Sequence, residues 1–251
     1  MRQTAGGELL VRSLAAGYSS GTVLEDHSHA WAQLVYASEG VMSVQTAEGM
    51  WVVPSHRAVW IPSGIGHSIA MSGWVSMRTL YLAPQLVRDL PGRCGVVAVS
   101  PLLRQLILHA TAQGPLRRDV PTHRRLVAFL LDQLRELPAV PLELPMPRDA
   151  RAMRIAQRLC DDPSDKRPLD HLARAAGASR RTLERLFQKE TGMSFGRWRQ
   201  QARLLHAMRL LAAGAAVTST ALEVGYDSPS AFIAAFSTAL GTTPGRYYRG
   251  S

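Results

Sequence analysis

Two histidines one residue apart, His27 and His29, stand just ahead of a strand-like run, and a third, His67, follows the turn-rich segment PSGIGH. Successive side chains of an extended chain alternate faces, so His27 and His29 share one face. Three imidazoles, if the fold brings them together, would be candidate ligands for a divalent transition metal, the ring nitrogen suiting Zn, Ni, Cu or Fe. The same rings could line a pocket for an organic effector and act there only as hydrogen-bonding groups. Gln33, four residues after His29, is neutral, and no other acid or base converges on the group. That weakens the case for acid–base chemistry, so the expectation is a binding site and not an enzyme. Trp31 and Trp60 are the aromatic side chains expected to line such a pocket, with Tyr36, Trp51, Met71 and Trp74 as further candidates.

Short runs rich in β-branched and aromatic residues, such as QLVYA, VMSVQT, MWVV, AVWIP and VSMRTLYL, must position these groups. Turn signals separate them, a pattern that predicts an antiparallel sandwich or barrel. Helices are predicted at Ser100–Gln113 and Pro121–Leu137. The second carries Leu126, Val127, Leu130, Leu131, Leu134 and Leu137 in one apolar stripe, which can pack on the barrel, form a dimer interface, or serve both. Four prolines in PAVPLELPMPR then mark a semi-rigid linker. The expected domains are 1–137, a linker at 138–148, and an all-helical region at 149–251.

A net charge of +10 favours a polyanionic partner. Residues 1–147 carry 12 Arg against 10 acids, whereas residues 148–251 carry 15 Arg and 2 Lys against 9, so the excess belongs to the helical region. Cys94 and Cys160 have no ligand-like spacing and suggest neither a disulfide nor a zinc site. No apolar run reaches the roughly 18 residues a bilayer span needs. Arg12 interrupts the one short N-terminal apolar stretch, Leu9–Leu14, so the chain reads as cytoplasmic, without a membrane partner.

Within the helical region, LDHLARAAGASRRTLERLF reads as a short helix, a small-residue turn and a second helix capped by Ser179. Leu183, Leu186 and Phe187 fall on its inner face. Arg181, Thr182, Glu184, Arg185 and Gln188 point elsewhere, and Arg, Glu and Thr are side chains that read base edges in the major groove. VTSTALEVGYDSPSAFIAAFSTALG repeats the unit, with Ser228 as cap, Pro229 at the first helical position, and Phe232 and Phe236 where the first copy has Leu183 and Phe187.

With these motifs in hand, residues 149–249 resemble the DNA-binding domain of the AraC/XylS family of bacterial transcription regulators. The matching stretches are L-x-x-L-A-x-x-A-G at Leu169–Gly177, S-x-R-x-L-x-R-x-F at Ser179–Phe187, KETGMSF at Lys189–Phe195 and R-L-L-H-A-x-x-L-L at Arg203–Leu211. Ala221, Gly225, Tyr226, Ser230, Phe232, Phe236, Gly241, Thr243 and Pro244 complete the signature. The resemblance implies two helix-turn-helix units held by a helix at Ser194–Ala213, meeting major-groove segments about 10 base pairs apart. It implies base contacts at Arg181, Glu184 and Arg185 and phosphate contacts at Arg180 and Lys189; Ser179, Thr182, Gln188, Ser228 and Ser230 are further expected DNA-binding residues. Where the family carries a basic pair in the second reader, this chain has Ala234 and Ser237.

His27-x-His29, Gln33, Gly40 and Pro62-x-Gly64-x-x-His67 in turn resemble the paired motifs of cupin barrels, Gln33 standing where glutamate is usual, and the resemblance implies that His67 comes beside His27 and His29. The expected fold class is therefore α+β multidomain, a cupin-like antiparallel barrel with a helical hairpin followed by an all-α domain of two helix-turn-helix units. The resemblance implies a ligand-responsive transcription regulator acting on promoter DNA, each chain carrying both helix-turn-helix units; a homodimer is expected, with RNA polymerase as a partner if it activates. A metal-dependent, dioxygenase-like cupin enzyme fused to a DNA-binding module is the alternative. The effector is a small molecule or a divalent transition metal.

Overall fold

The computed structural model describes residues 8–55, 57–135, 139–140 and 142–249. Contacts divide the chain into two compact units: residues up to Thr46 with Val53–Glu143, and Ala47–Val52 with Leu144 onward.

The first unit is an antiparallel sheet with two helices. The strands up to residue 98 are β1 (Leu9–Tyr18), β2 (Val23–His27), β3 (Ala32–Gln45), β4 (Gly49–Pro54), whose Gly49–Val52 count with the second unit, β5 (Arg57–Ile61), β6 (His67–Leu82) and β7 (Gly95–Ala98). Helix α1 (Pro101–Gln113), β8 (Leu116–Arg117), α2 (Pro121–Arg135) and β9 (Ala139–Val140) follow, then β10 (Glu143–Pro145), of which only Glu143 counts with the first unit. The hydrogen-bonded path runs β8-β1-β6-β3-β5-β7-β9, and β2 pairs with the first half of β6. The long strands β3 and β6 pair over nearly their whole length, with register shifts around Glu39.

Alternation gives the sheet two faces of different chemistry. Leu34 lies opposite Trp60 and Leu80, and these side chains join Tyr36, Leu103, Ile107, Val127, Leu130, Leu131 and Leu134 in one apolar cluster under α1 and α2. The α2 stripe thus packs on the sheet within this unit. Leu137, its expected last member, and Pro138 and Pro141 of the expected linker lie outside the described residues. The remaining linker residues supply β9 and β10. Short edge strands tolerate neighbouring prolines because an edge has backbone donors to spare, which is why a proline-rich stretch reads as linker from sequence.

The second unit holds α3 (Ala150–Asp161), α4 (Leu169–Ala175), α5 (Arg180–Thr191), α6 (Phe195–Ala212), α7 (Val217–Glu223), α8 (Pro229–Leu240) and α9 (Pro244–Arg249). Segment Ala47–Val52 belongs with it: Met146 N donates to Glu48 O at 3.1 Å, and a Cβ on Gly49 would approach Leu144 O to 2.9 Å. The core is aromatic around α6. Phe187 packs edge-on against Phe195 and Trp198 at centroid separations of 5.1 and 5.3 Å, and Trp198 Nε1 donates to Pro145 O at 2.7 Å.

Candidate nucleic-acid interface and histidine cluster

Both helix-turn-helix pairs form as their caps dictate. Ser179 Oγ accepts from Thr182 N at 3.1 Å to start α5, and Ser228 Oγ accepts from Ala231 N at 3.2 Å to start α8, whose first residue is Pro229. These bonds satisfy amides that a helix start leaves without partners. Leu183, Phe187, Phe232 and Phe236 are fully buried, so each second helix is pinned by its inner face and turns the other outward.

The outward face of α5 divides into two strips. On one, Arg180 donates to Glu184 at 2.9 Å and to Asp170 at 3.3 Å, while Gln188 Nε2 donates to Gly192 O at 3.3 Å. On the other, Arg181, Arg185 and Lys189 are exposed, four residues apart, and have no ion pair or hydrogen bond among the described residues. Glu184, expected to reach a base, and Gln188, an expected DNA contact, are thus engaged within the protein, whereas Arg181 and Arg185 have no partner among the described residues. Thr182 is half-buried, and its hydroxyl shares a 2.9 Å hydrogen bond with Ser179. On α8, Ser230 and Ala234 are exposed, Ser228 is half-buried, and Pro229–Leu240 contains no charged residue.

Helix α6 ties the two pairs together. Arg199 Nη2 donates to Arg167 O at 2.7 Å and Arg203 Nε to Pro163 O at 3.0 Å, gripping the loop before α4. Hydrogen bonds from Arg167 hold the Asp165 carboxyl far below the usual range, and Arg158 adds to this. In the turn between α7 and α8, Gly225 has φ +84°, and a Cβ there would come within 3.0 Å of Ser164 Cα and of Arg203 Nη2. Lys166 pairs with Asp227 beside it.

In the first unit His27, His29 and His67 do converge: one ring nitrogen of each lies within 4.8 Å of the others. The route differs from simple strand alternation. His27 ends β2 and pairs in register with His67 at the start of β6, while His29 sits in the bend before β3. Each Nδ1 faces a backbone carbonyl two residues away, His27 to Glu25 O at 2.7 Å, His29 to Trp31 O at 2.5 Å and His67 to Ile65 O at 2.9 Å. An Nδ1–H donated to a carbonyl leaves Nε2 as the lone-pair atom, the arrangement in which histidines bind metals. His67 is fully buried, and its Nε2 has no hydrogen-bond partner. Burial holds its pKa below the usual imidazole value, and neighbouring His27 and His29 act in the same direction against the Ile65 carbonyl.

Gln33 completes the cluster. Its Oε1 lies 2.8 Å from His29 Nε2, its Nε2 donates to Thr79 Oγ1 at 3.0 Å, and that hydroxyl donates to Leu34 O at 3.2 Å. With the Nδ1 proton given to Trp31, a bond to a neutral His29 calls for the amide turned over, NH2 toward the ring. A cation on His29 Nε2 calls for Oε1 there instead. Thr79 satisfies either orientation. Thr79 lies 46 residues from Gln33, and Tyr81 stands edge-on to His29 at 5.1 Å. No spacing in the sequence brings either to the site; only the β3–β6 register does.

The two expected tryptophans do not join the histidines. Trp31 lies under the Arg12 guanidinium at 4.5 Å. Trp60 is in register with Leu34, one residue out of phase with Gln33, and so belongs to the opposite, helix-covered face. Of the further candidates, Tyr36 joins the same helix-side cluster and Trp74 is 60% exposed.

A family described as a helix-turn-helix domain matches residues 172–250. The HTH-type transcriptional regulator NimR of Escherichia coli is 36% identical over 221 residues, covering 88% of this chain and 81% of NimR. The HTH-type transcriptional regulator RipA of Corynebacterium glutamicum is 40% identical over 107 residues, 43% of this chain and 32% of RipA. Among solved structures, ToxT of Vibrio cholerae aligns over 99% of this chain and 97% of its own at 12% identity and a TM-score of 0.40. These relatives are named as transcriptional regulators, and the long match to NimR spans both units. The chain belongs to the AraC/XylS family of HTH-type transcriptional regulators.

Proposed function

We propose that this DNA-binding regulator responds to a divalent transition metal held at His27, His29 and His67, with Gln33 as a fourth group. Metal occupancy would set the affinity of the helix-turn-helix pairs for promoter DNA or the spacing of two protomers upon it. The observation that carries this reading is the fully buried, unpartnered Nε2 of His67 in a cluster whose three Nδ1 atoms all rest on carbonyls. A buried imidazole nitrogen without a partner is unfavourable by roughly 1–3 kcal/mol, which a bound cation would offset. The four neutral side chains supply ligands and leave the charge on the metal. His27, being exposed, leaves one side of the cluster open to a further ligand. An organic effector hydrogen-bonded to the same histidines is the second reading, and that open side favours it.

On the DNA side, Arg181 and Arg185 read bases, Arg180 and Lys189 hold phosphates, and α8 acts chiefly in positioning. A cytoplasmic homodimer, and RNA polymerase as a partner if the protein activates, complete the proposal. No helix among the described residues is long and apolar enough to cross a membrane.

Elemental analysis of the purified full-length protein, joined to selection of bound genomic fragments with and without chelator, tests it. The expected result is about one transition-metal ion per chain, lost in His67→Ala, and operator affinity that changes on chelation. Protein that takes up none of Zn, Ni, Cu, Fe or Co, and binds its operator equally with chelator present, would overturn the metal reading.

A further inference from the structure

On the sheet face opposite the histidines, the first unit contains a cavity of about 460 Å³. Leu34 and Trp60 form its floor, with Leu90, Val96 and the Leu134 side chain from the last turn of α2 as apolar walls. Leu34, Trp60 and Leu134 also belong to the core under the helices, so core side chains face an open-sided cleft. Protein interiors leave few voids larger than a water molecule, and cavities of roughly 300–1,000 Å³ are the size of small-molecule sites. The Trp60 indole N–H is already given to Pro91 O at 2.8 Å, which fixes the ring as part of an apolar floor and ties the loop before β7 over it.

The rim identifies the ligand's charge. Asp89 and Arg135 lie 3.8 Å apart, and Arg135 also bonds Asp132 at 2.9 Å. Glu143 is engaged as well. Arg93 is exposed at the same rim and has neither ion pair nor hydrogen bond among the described residues. We propose that this cavity binds a small, largely apolar organic anion, its flat or aliphatic body on Trp60 and Leu34 and its carboxylate or equivalent acid on Arg93. This is a site separate from the histidine cluster and independent of whether that cluster holds metal. Leu134 and Arg135 end α2, and Glu143 is the last residue of the first unit.

The test uses full-length protein with two fluorescent probes, 1-anilinonaphthalene-8-sulfonate and its uncharged analogue N-phenyl-1-naphthylamine. The sulfonate should bind saturably, one per chain, with or without chelator. Arg93→Ala should weaken it about five- to tenfold, as loss of a charge-assisted contact at a partly solvated rim does, and leave the uncharged probe unchanged. Leu134→Trp, which fills the cavity, should abolish binding of both. Unchanged sulfonate binding in Arg93→Ala, equal loss of both probes there, or persistence of either probe in folded Leu134→Trp overturns the proposal. Should Leu134→Trp fail to fold, the Arg93→Ala comparison decides alone, since that exposed side chain supports no packing. Metal uptake at His67 is measured on the same samples, so failure of the metal reading and failure of this one are distinguishable.

Discussion

Helices α5 and α8 are each twelve residues long, each begins at a serine that accepts the backbone N–H three residues on, and each ends at a glycine in the left-handed region. Each is anchored at equivalent positions, Leu183 and Phe187 in one, Phe232 and Phe236 in the other. Their outward faces differ: α5 offers three unpaired cations, α8 only small neutral side chains. What repeats is what holds a helix in place, and what differs is what a groove would feel. Caps and buried anchors serve the fold, so both copies need them, while outward side chains are free to divide the work of reading DNA.

The comparison is broken most strongly at the two turns. Gly177 and Gly225 both have positive φ, but nothing lies within 4 Å of a Cβ on Gly177, whereas one on Gly225 meets the Ser164 backbone. Gly177→Ala should destabilise by about 1–2 kcal/mol from backbone strain alone. Gly225→Ala should exceed that by about 1–3 kcal/mol for overpacking, measured by denaturant unfolding; equal losses would mean the α7–α8 turn is not closely packed.

At the DNA surface, Arg185→Ala should weaken specific binding by about 1–3 kcal/mol and non-specific binding far less, read by titration against operator and random duplex. An equal loss of both would make Arg185 a phosphate contact. Base-pair swaps under α5 should each be unfavourable by about 1–3 kcal/mol, against less than about 0.5 kcal/mol under α8; equal penalties would end the proposed division of labour. Ala234→Arg should steepen the salt dependence of binding by about one unit of log–log slope without sharpening sequence preference.

The smallest effect tests the helix both readers share. Burial and the nearby Arg209 push the His206 pKa on α6 down to about 4, from an ordinary value of 6.5. The unfolded chain therefore takes up the proton first. Stability should be unaffected above pH 6.5, fall as pH drops from there toward 4, and lose this slope in His206→Gln when melting temperature is followed. A flat profile would show that His206 is solvated.

Much of the second unit was legible because its signals are local. Ser179 and Ser228 cap, the apolar periodicity faces inward, and Arg181 and Arg185 are left outside. Even the i, i+4 pair Arg180–Glu184 was available to inspection, although a reading directed at base contacts assigns Glu184 to cytosine instead. The histidine site was half legible. Spacing suggested His27 and His29 on one face, and the resemblance to cupin motifs added His67 and Gln33, but Thr79 and the phase of Trp60 depend on which residue of β3 faces which residue of β5 and β6. A one-residue change of register exchanges the faces, and no short stretch of chain carries that information.

Pro145, Met146 and the Ala47–Val52 segment have a practical meaning for anyone dividing this protein. The unit that carries both readers is not one continuous stretch of chain. A fragment starting at Asp149 would keep every helix yet remove the carbonyl that receives the Trp198 indole proton and the strand tip beside Leu144. The indole N–H of fully buried Trp198, part of the edge-on group of Phe187, Phe195 and Trp198, would then be left without its acceptor. A piece cut at the apparent linker should be soluble only at some loss of order, and adding residues 144–148 back should restore part of it.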